Sequence, residues 1–314
     1  MATLIDALVY SVLLSLMAFG LTFIRRTTGV WNVAQAGIVT LGAYTILTGI
    51  SFIGGSPYFY LPFAVIMGAL LGAIIFLTAI EPLRTRKASP VIMLVATIAF
   101  NLLLLGVLNI YADLLQEVFK ISSKNFVLTR LDFRIFHQPA IVFISLIALI
   151  LLIVGLYLFM QKTRTGLALR ASVEQPRLAT VMGVNVRWLH LLSWAIACGS
   201  AGLAGGGLCM RIQCNPGIGG SMIAILFCVS ILGGVGEIYG PLLGGFLVGF
   251  VQIYGTTLLA RAFGPWVIPY KGLLPMIILI LTLLFIPEGL SGIHWRKTLE
   301  AVSLKHTNSE RRTE

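Results

Sequence analysis

Apolar runs of membrane length alternate with short polar breaks along almost the whole of this 314-residue chain. Leu4 to Ile24 comes first, close to the roughly 20 residues a helix needs to cross the hydrocarbon core of a bilayer. Asp6 is its one charge, and Arg25 and Arg26 close it. No Lys, Arg, Asp or Glu follows between Thr27 and Ile80, a stretch too long for one span, and SFIGGSPYFY at 51–60 divides it into two. The short polar turn EPLRTRK (81–87) precedes a span from Ala88 to Ala112. A longer loop, Tyr111 to His137, mixes three acids with four bases before Gln138 to Gln161 crosses again. Past residue 188 come Trp188 to Met210, Ile212 to Gly236, Ile238 to Ala260 and a short last span, Gly272 to Pro287. The pattern predicts an all-α polytopic membrane protein with eight or nine transmembrane helices. The open point is whether the Gly-rich part near 212–240 crosses fully or re-enters. One transmembrane domain covers 1–290, and 291–314 is a polar tail. Nothing like a basic leader and small-residue cleavage site precedes the first run, which is therefore expected to stay as a span.

Composition agrees: 58% of residues are hydrophobic and 11% charged, where soluble domains carry about 25% charge. The net charge of +11 could suggest nucleic acid, but no aromatic-interleaved basic patch accompanies it. In a multi-spanning protein Lys and Arg mark cytoplasmic loops instead. Arg25-Arg26, the 81–87 turn, the 161–190 segment and the tail carry two, three, five and five basic residues, and alternation through nine crossings puts all four on one side. The N-terminus is then expected outside, with the 161–190 segment and the tail cytoplasmic.

That segment, QKTRTGLALRASVEQPRLATVMGVNVRWLH, is the longest one in the body of the chain that a bilayer would reject. It has helical order nonetheless. Leu167, Ala171 and Glu174 follow helical spacing, and Glu174 stands four residues after Arg170, within pairing distance on a helix. Pro176 suits the first turn of a second short helix, Leu178, Val181 and Met182 form an apolar stripe on it, and Gly183 stands where helices stop. A structured basic elbow of this kind reads as a docking surface.

The rest of the chain offers no enzyme constellation: no paired-carboxylate motif, HExxH, GxSxG or P-loop. The histidines (His137, His190, His294, His306) fall at loop or tail positions, and the four cysteines lack CxxC spacing, so core thiols are expected rather than a metal site or disulfide. Ion-coupled transporters usually hold an ionisable group mid-membrane. The one candidate, Glu237, sits in GGVGEIYG, which reads as a turn. Two Gly-interrupted regions, one in each half, draw attention as broken helices. In the first, Asn32 and Gln35 are amides inside a charge-free stretch, expected to face the bundle interior or a pore, either tying helices together or serving a pathway. The second, Gly199 to Gly249, holds fifteen of the 33 glycines; Gly236, Gly240 and Gly244, and Gly245 with Gly249, are spaced by four, the ridge that lets helices pack closely in lipid.

Three pieces of the sequence together resemble the permease subunits of ATP-binding-cassette importers for branched-chain amino acids. VWNVAQAGIVTLGAY (Val30 to Tyr44) is similar to that family's N-F-A-H-G…GAY segment, and TGLALRASVEQPRLATVMGVNV in the elbow to its coupling segment. NPGIGG (Asn215 to Gly220), LGGVGEIYGPLLGG (Leu232 to Gly245) and FIPEGLSG (Phe285 to Gly292) complete the match, and NPGIGG is more like the first of the two paralogous permeases. The resemblance implies that separate subunits use ATP, and that this chain binds no cofactor. The elbow would seat in a groove of an ATPase subunit, with Leu178, Val181 and Met182 filling it, Arg170 and Arg177 at its rim, and Glu174 and Gly183 shaping the helices. The implied partners are two ATPases, a second permease subunit and an extracytoplasmic solute-binding protein. Asn32, Gln35, Gly37 and Asn215 are the candidates for the solute pathway. Gln35 replaces the family's histidine and Val33 its phenylalanine, and related importers carry other amino acids, amides or urea. A self-sufficient secondary transporter is the reading from a different class.

Overall fold

The computed structural model describes residues 2–135, 138–234, 236–237, 239–285 and 289, leaving aside the side chains of Ala2, Ile135, Pro176, Arg177 and Leu178. Eight helices are long and apolar enough to cross a membrane, and a ninth, shorter apolar helix covers Ile218–Gly233. In chain order these and the elbow helices are α1 (Ala2–Thr28), α2 (Gln35–Ile53), α3 (Pro57–Thr85), α4 (Pro90–Glu117), α5 (Ala140–Lys162), α6 (Arg164–Glu174), α7 (Pro176–Val181), α8 (Val186–Leu208), α9 (Ile218–Gly233), α10 (Gly240–Phe263) and α11 (Pro265–Phe285). The break expected at 51–60 falls where expected, between α2 and α3. A two-residue hairpin, Arg134–Ile135 against Gln138–Pro139, is the one sheet among the described residues.

The helices differ sharply in burial. In α1 94% of the most apolar window is inside the protein, against 17% in α5 and 11% in α11, so α1 is the hub and α5 and α11 are the lipid-facing rim. Helix α8 lies against α1, α2 and α3, while α10 runs antiparallel along α1. Lipid offers apolar side chains nothing they lack elsewhere, so helices associate here by close packing of small residues. A Cβ at Gly42 would strike the Gly202 carbonyl, and one at Gly68 the Cys198 carbonyl. The same holds for part of the predicted ridge. Gly245 and Gly249 abut the Ser15 and Ser11 backbones of α1, and Gly244 abuts Val229 and Gly233, while Gly240 is buried at the start of α10. Gly236 does not belong to it: it lies exposed in a turn with nothing within reach of an added Cβ, because α9 ends at Gly233 and α10 begins at Gly240.

Two further expectations are corrected. The span predicted from Ile212 to Gly236 is helical only from Ile218, because Gln213, Asn215 and Pro216 favour a turn. Hydropathy could not register that delay. His190 is not a loop residue; it is buried in the first turn of α8, in contact with Arg84 and edge-on to Phe76. The four cysteines are free and buried, as expected of core thiols.

Both α3 and α10 contain a π-turn, at Phe76–Ile80 and Val251–Gly255. Such bulges widen a helix by one residue and re-aim the side chains beyond them. Glu237 lies in the expected turn, its amide donating to the Gly234 carbonyl at 3.2 Å. On the face opposite the elbow, residues 118–135 fold over the α8–α9 linker: Phe126 and Cys214 exchange backbone hydrogen bonds of 3.0 and 2.8 Å, and Arg211 pairs with Asp6 at 3.1 Å.

Candidate functional site

Three places gather the residues of interest, and they lie at different depths. The first is the start of α2. Asn32 and Gln35 are both buried, Asn32 donating to Gln35 Oε1 at 3.3 Å. Gln35 Nε2 in turn donates to the Ala197 carbonyl of α8 at 3.1 Å and lies 3.5 Å from the Met17 carbonyl of α1. Gly37 N–H donates to Asn101 Oδ1 of α4 at 3.0 Å. The amides therefore stitch α1, α2 and α8 together, as a buried polar group must to offset its desolvation. Asn32 Oδ1 alone is left without a partner. The recess beside it, lined by Leu21, Ile223, Leu226 and Phe227, has no room for water.

The second is the break before α9. Asn215 lies exposed, its Oδ1 accepting from Gly217 N–H at 2.9 Å in an Asx turn that leads into the helix. Thr40 Oγ1 of α2 accepts from Gly219 N–H at 3.0 Å, so the two breaks touch. Their environments differ, however: Asn215 opens onto a cavity of about 440 Å³ shared with Tyr10, Ser221, Gln252 and Lys271. The structure thus groups Asn32, Gln35 and Gly37 and places Asn215 in a separate, accessible site. Lys271 was missed by sequence reasoning, which began the last span at Gly272; the membrane-length segment starts at Pro265 and includes it.

The third is the elbow. Thr163 caps α6 by accepting from Gly166 N–H at 3.0 Å, and Gly166, Leu169 and Ser172 form its buried face. The Leu167, Ala171, Glu174 row noted in the sequence is the exposed face. Arg170 does not form an ion pair with Glu174; it donates to Gln161 Oε1 at 3.4 Å. Both instead line a cleft of about 210 Å³ with Arg26, Glu237 and Tyr239. Partial burial pushes the Tyr239 hydroxyl upward, the neighbouring Tyr157 adding to the shift and Arg170 opposing it, so Tyr239 stays a neutral donor. Helix α7 begins at Pro176 as expected, and Gly183 closes it with φ +80°, a left-handed stop that glycine adopts without strain. Val181 is 83% exposed and Met182 77%, an apolar tip beyond the protein's own packing. The side chains of Arg177 and Leu178 lie outside the described residues.

A hub helix sheathed by close-packed partners, two interrupted helices meeting inside the bundle and a polar elbow on one face define a multi-pass membrane protein. Residues 3–283 match the family described as branched-chain amino acid transport system, permease component, and the chain belongs to that family. Among its relatives, the probable branched-chain amino acid transport permease protein LivH of Methanocaldococcus jannaschii is 40% identical over 95% of this chain and 94% of its own. The high-affinity branched-chain amino acid transport system permease protein BraD of Pseudomonas aeruginosa is 27% identical over 92% and 94%. The nucleoside ABC transporter permease protein NupC of Lactococcus lactis is 26% identical over 63% of this chain and 64% of its own.

Proposed function

We propose that this protein is the membrane-spanning translocation subunit of an importer for branched-chain amino acids, driven by separate ATPase subunits. Family membership and the near-full-length similarity to proteins named for that transport support the solute class. The observation that carries the coupling is the elbow's tip. Val181 and Met182 project from a basic, polar segment, uncovered by the protein's own core. An exposed apolar pair rimmed by charge is what a partner's groove takes up. In this reading the N-terminus is outside, the elbow and C-terminus are cytoplasmic, and a second permease and an external solute-binding protein complete the assembly. ATP is bound by the partners and not by this chain. Closure of the ATPase pair pushes α7. Because Gly166, Leu169 and Ser172 seat α6 against the bundle, the push reaches α1, α5 and the Glu237 and Tyr239 side chains that share the elbow cleft.

Val181→Asp with Met182→Asp tests this in the complete importer. ATP-driven leucine uptake is expected to fall by at least about tenfold, the loss of one interface anchor, while the protein inserts normally. Unchanged uptake would refute the docking role. Uptake of a nucleoside in place of leucine by the unmodified importer would replace the solute class and leave the coupling intact.

A further inference from the structure

The cavity beside the second break is chemically lopsided. Lys271 lines it and forms no ion pair among the described residues, and neither Asp nor Glu is among the lining residues. Lys271 is exposed at the end of the 3-10 stretch that opens α11, and an ammonium at the rim of a recess with no acid in it attracts an anion. A second, independent feature points into the same space. Gln252 is 3% exposed and sits on the π-turn of α10. Its Oε1 accepts from Tyr10 OH at 3.1 Å, and its Nε2 has no partner among the described residues. Since that nitrogen is not sealed from solvent either, it is a donor offered to the cavity. The start of α9, whose dipole is positive at that end, borders the recess through Gly217 and Ile218. Facing this polar side are the branched and thioether side chains of Met222, Ile225 and Ile253. At about 440 Å³ the space falls within the roughly 300–1,000 Å³ of small-molecule pockets.

We propose that this cavity, on the face of the bundle opposite the elbow, is a solute-binding site that takes an aliphatic amino acid by its carboxylate. Lys271 and the Gln252 amide hold the carboxylate, and the Met222–Ile225–Ile253 wall receives the side chain. The inference rests on the importer reading above and deepens it: recognition here is set by the carboxylate and the aliphatic group. The amine meets only the neutral oxygens of Asn215, Ser221 and Tyr10. This also separates the two breaks by role, since the Asn32–Gln35 cluster has no room for a solute.

The test uses the complete importer with its binding protein, in proteoliposomes. Three forms are compared: unmodified, Lys271→Met and Lys271→Arg. With insertion and complex assembly verified, Lys271→Met is expected to lower leucine uptake about 10- to 100-fold, the loss of a charge-assisted hydrogen bond. Lys271→Arg restores most of it. Separately, Ser221→Cys is labelled with a membrane-impermeant thiol reagent. Millimolar leucine is expected to protect it, and leucinamide, which lacks the carboxylate, is not. If the unmodified importer carries leucine and Lys271→Met matches it, or if leucine and leucinamide protect equally, the site assignment falls and the importer reading stands. If the unmodified importer carries no leucine, the solute class itself falls, and this site's ligand with it.

Discussion

The two interrupted segments look alike in sequence and are opposite in structure. Residues 29–37 and 211–220 both insert glycine and amides into apolar runs, and they meet where Thr40 accepts from Gly219. In the first, the side-chain amides are spent on protein except at Asn32 Oδ1: Gln35 binds α1 and α8, and Gly37 N–H binds α4. The second borders an open cavity, around which Asn215, with Gln252 of α10 and Lys271 of α11, keeps capacity free. A broken helix in a membrane must satisfy its backbone with protein or with water, and this chain does each once. The first break is a clamp and the second a vestibule.

Substitutions break that contrast in order of severity. Gly42→Leu, which drives a side chain into the Gly202 backbone beyond the clamp on α2, is expected to cost more than about 3 kcal/mol and to deplete folded protein in a detergent thermal-stability assay. Gln35→Leu strips Asn32 of its acceptor and α8 of its donor, an expected loss of about 1–3 kcal/mol seen as a lowered apparent Tm. Thr40→Val removes the single bond joining the two breaks through Gly219 N–H, and about 1 kcal/mol is expected by the same assay. Asn215→Ala, on the vestibule side, loosens one exposed Asx turn and is expected to change stability by less than about 0.5 kcal/mol. Equal destabilisation by Gln35→Leu and Asn215→Ala would erase the distinction between clamp and vestibule.

Much of this was legible from residue order, and the exceptions have a common cause. Hydropathy located α1 to α5, because a membrane-spanning helix must be apolar whether it faces lipid or its neighbours, and Pro176 and Gly183 marked α7 because proline and glycine act locally. Helical spacing at Leu167, Ala171 and Glu174 marked α6 but not which face it buries: that face is Gly166, Leu169 and Ser172, and the small residues in it leave little hydrophobic signal. Spacing by four placed Gly236 in a ridge it does not join, because spacing alone does not say where a helix ends. Lys271 escaped notice as a mere flanking charge; a basic residue immediately before an apolar run, after a Pro-rich turn (PWVIPYKG), was the available signal. That the Asn32 amide would close on Gln35 depended on α1 and α8, whose carbonyls hold the Gln35 amide and which no local pattern encodes.

The central claim is that this chain moves solute only when partner ATPases work its elbow. Reconstitution into liposomes tests it directly, with leucine uptake measured for the protein alone, and then with its second permease, ATPases and binding protein plus ATP. The account predicts no uptake by the protein alone and ATP-dependent uptake by the assembly. Leucine accumulation by the protein alone, driven by an ion gradient, would contradict it.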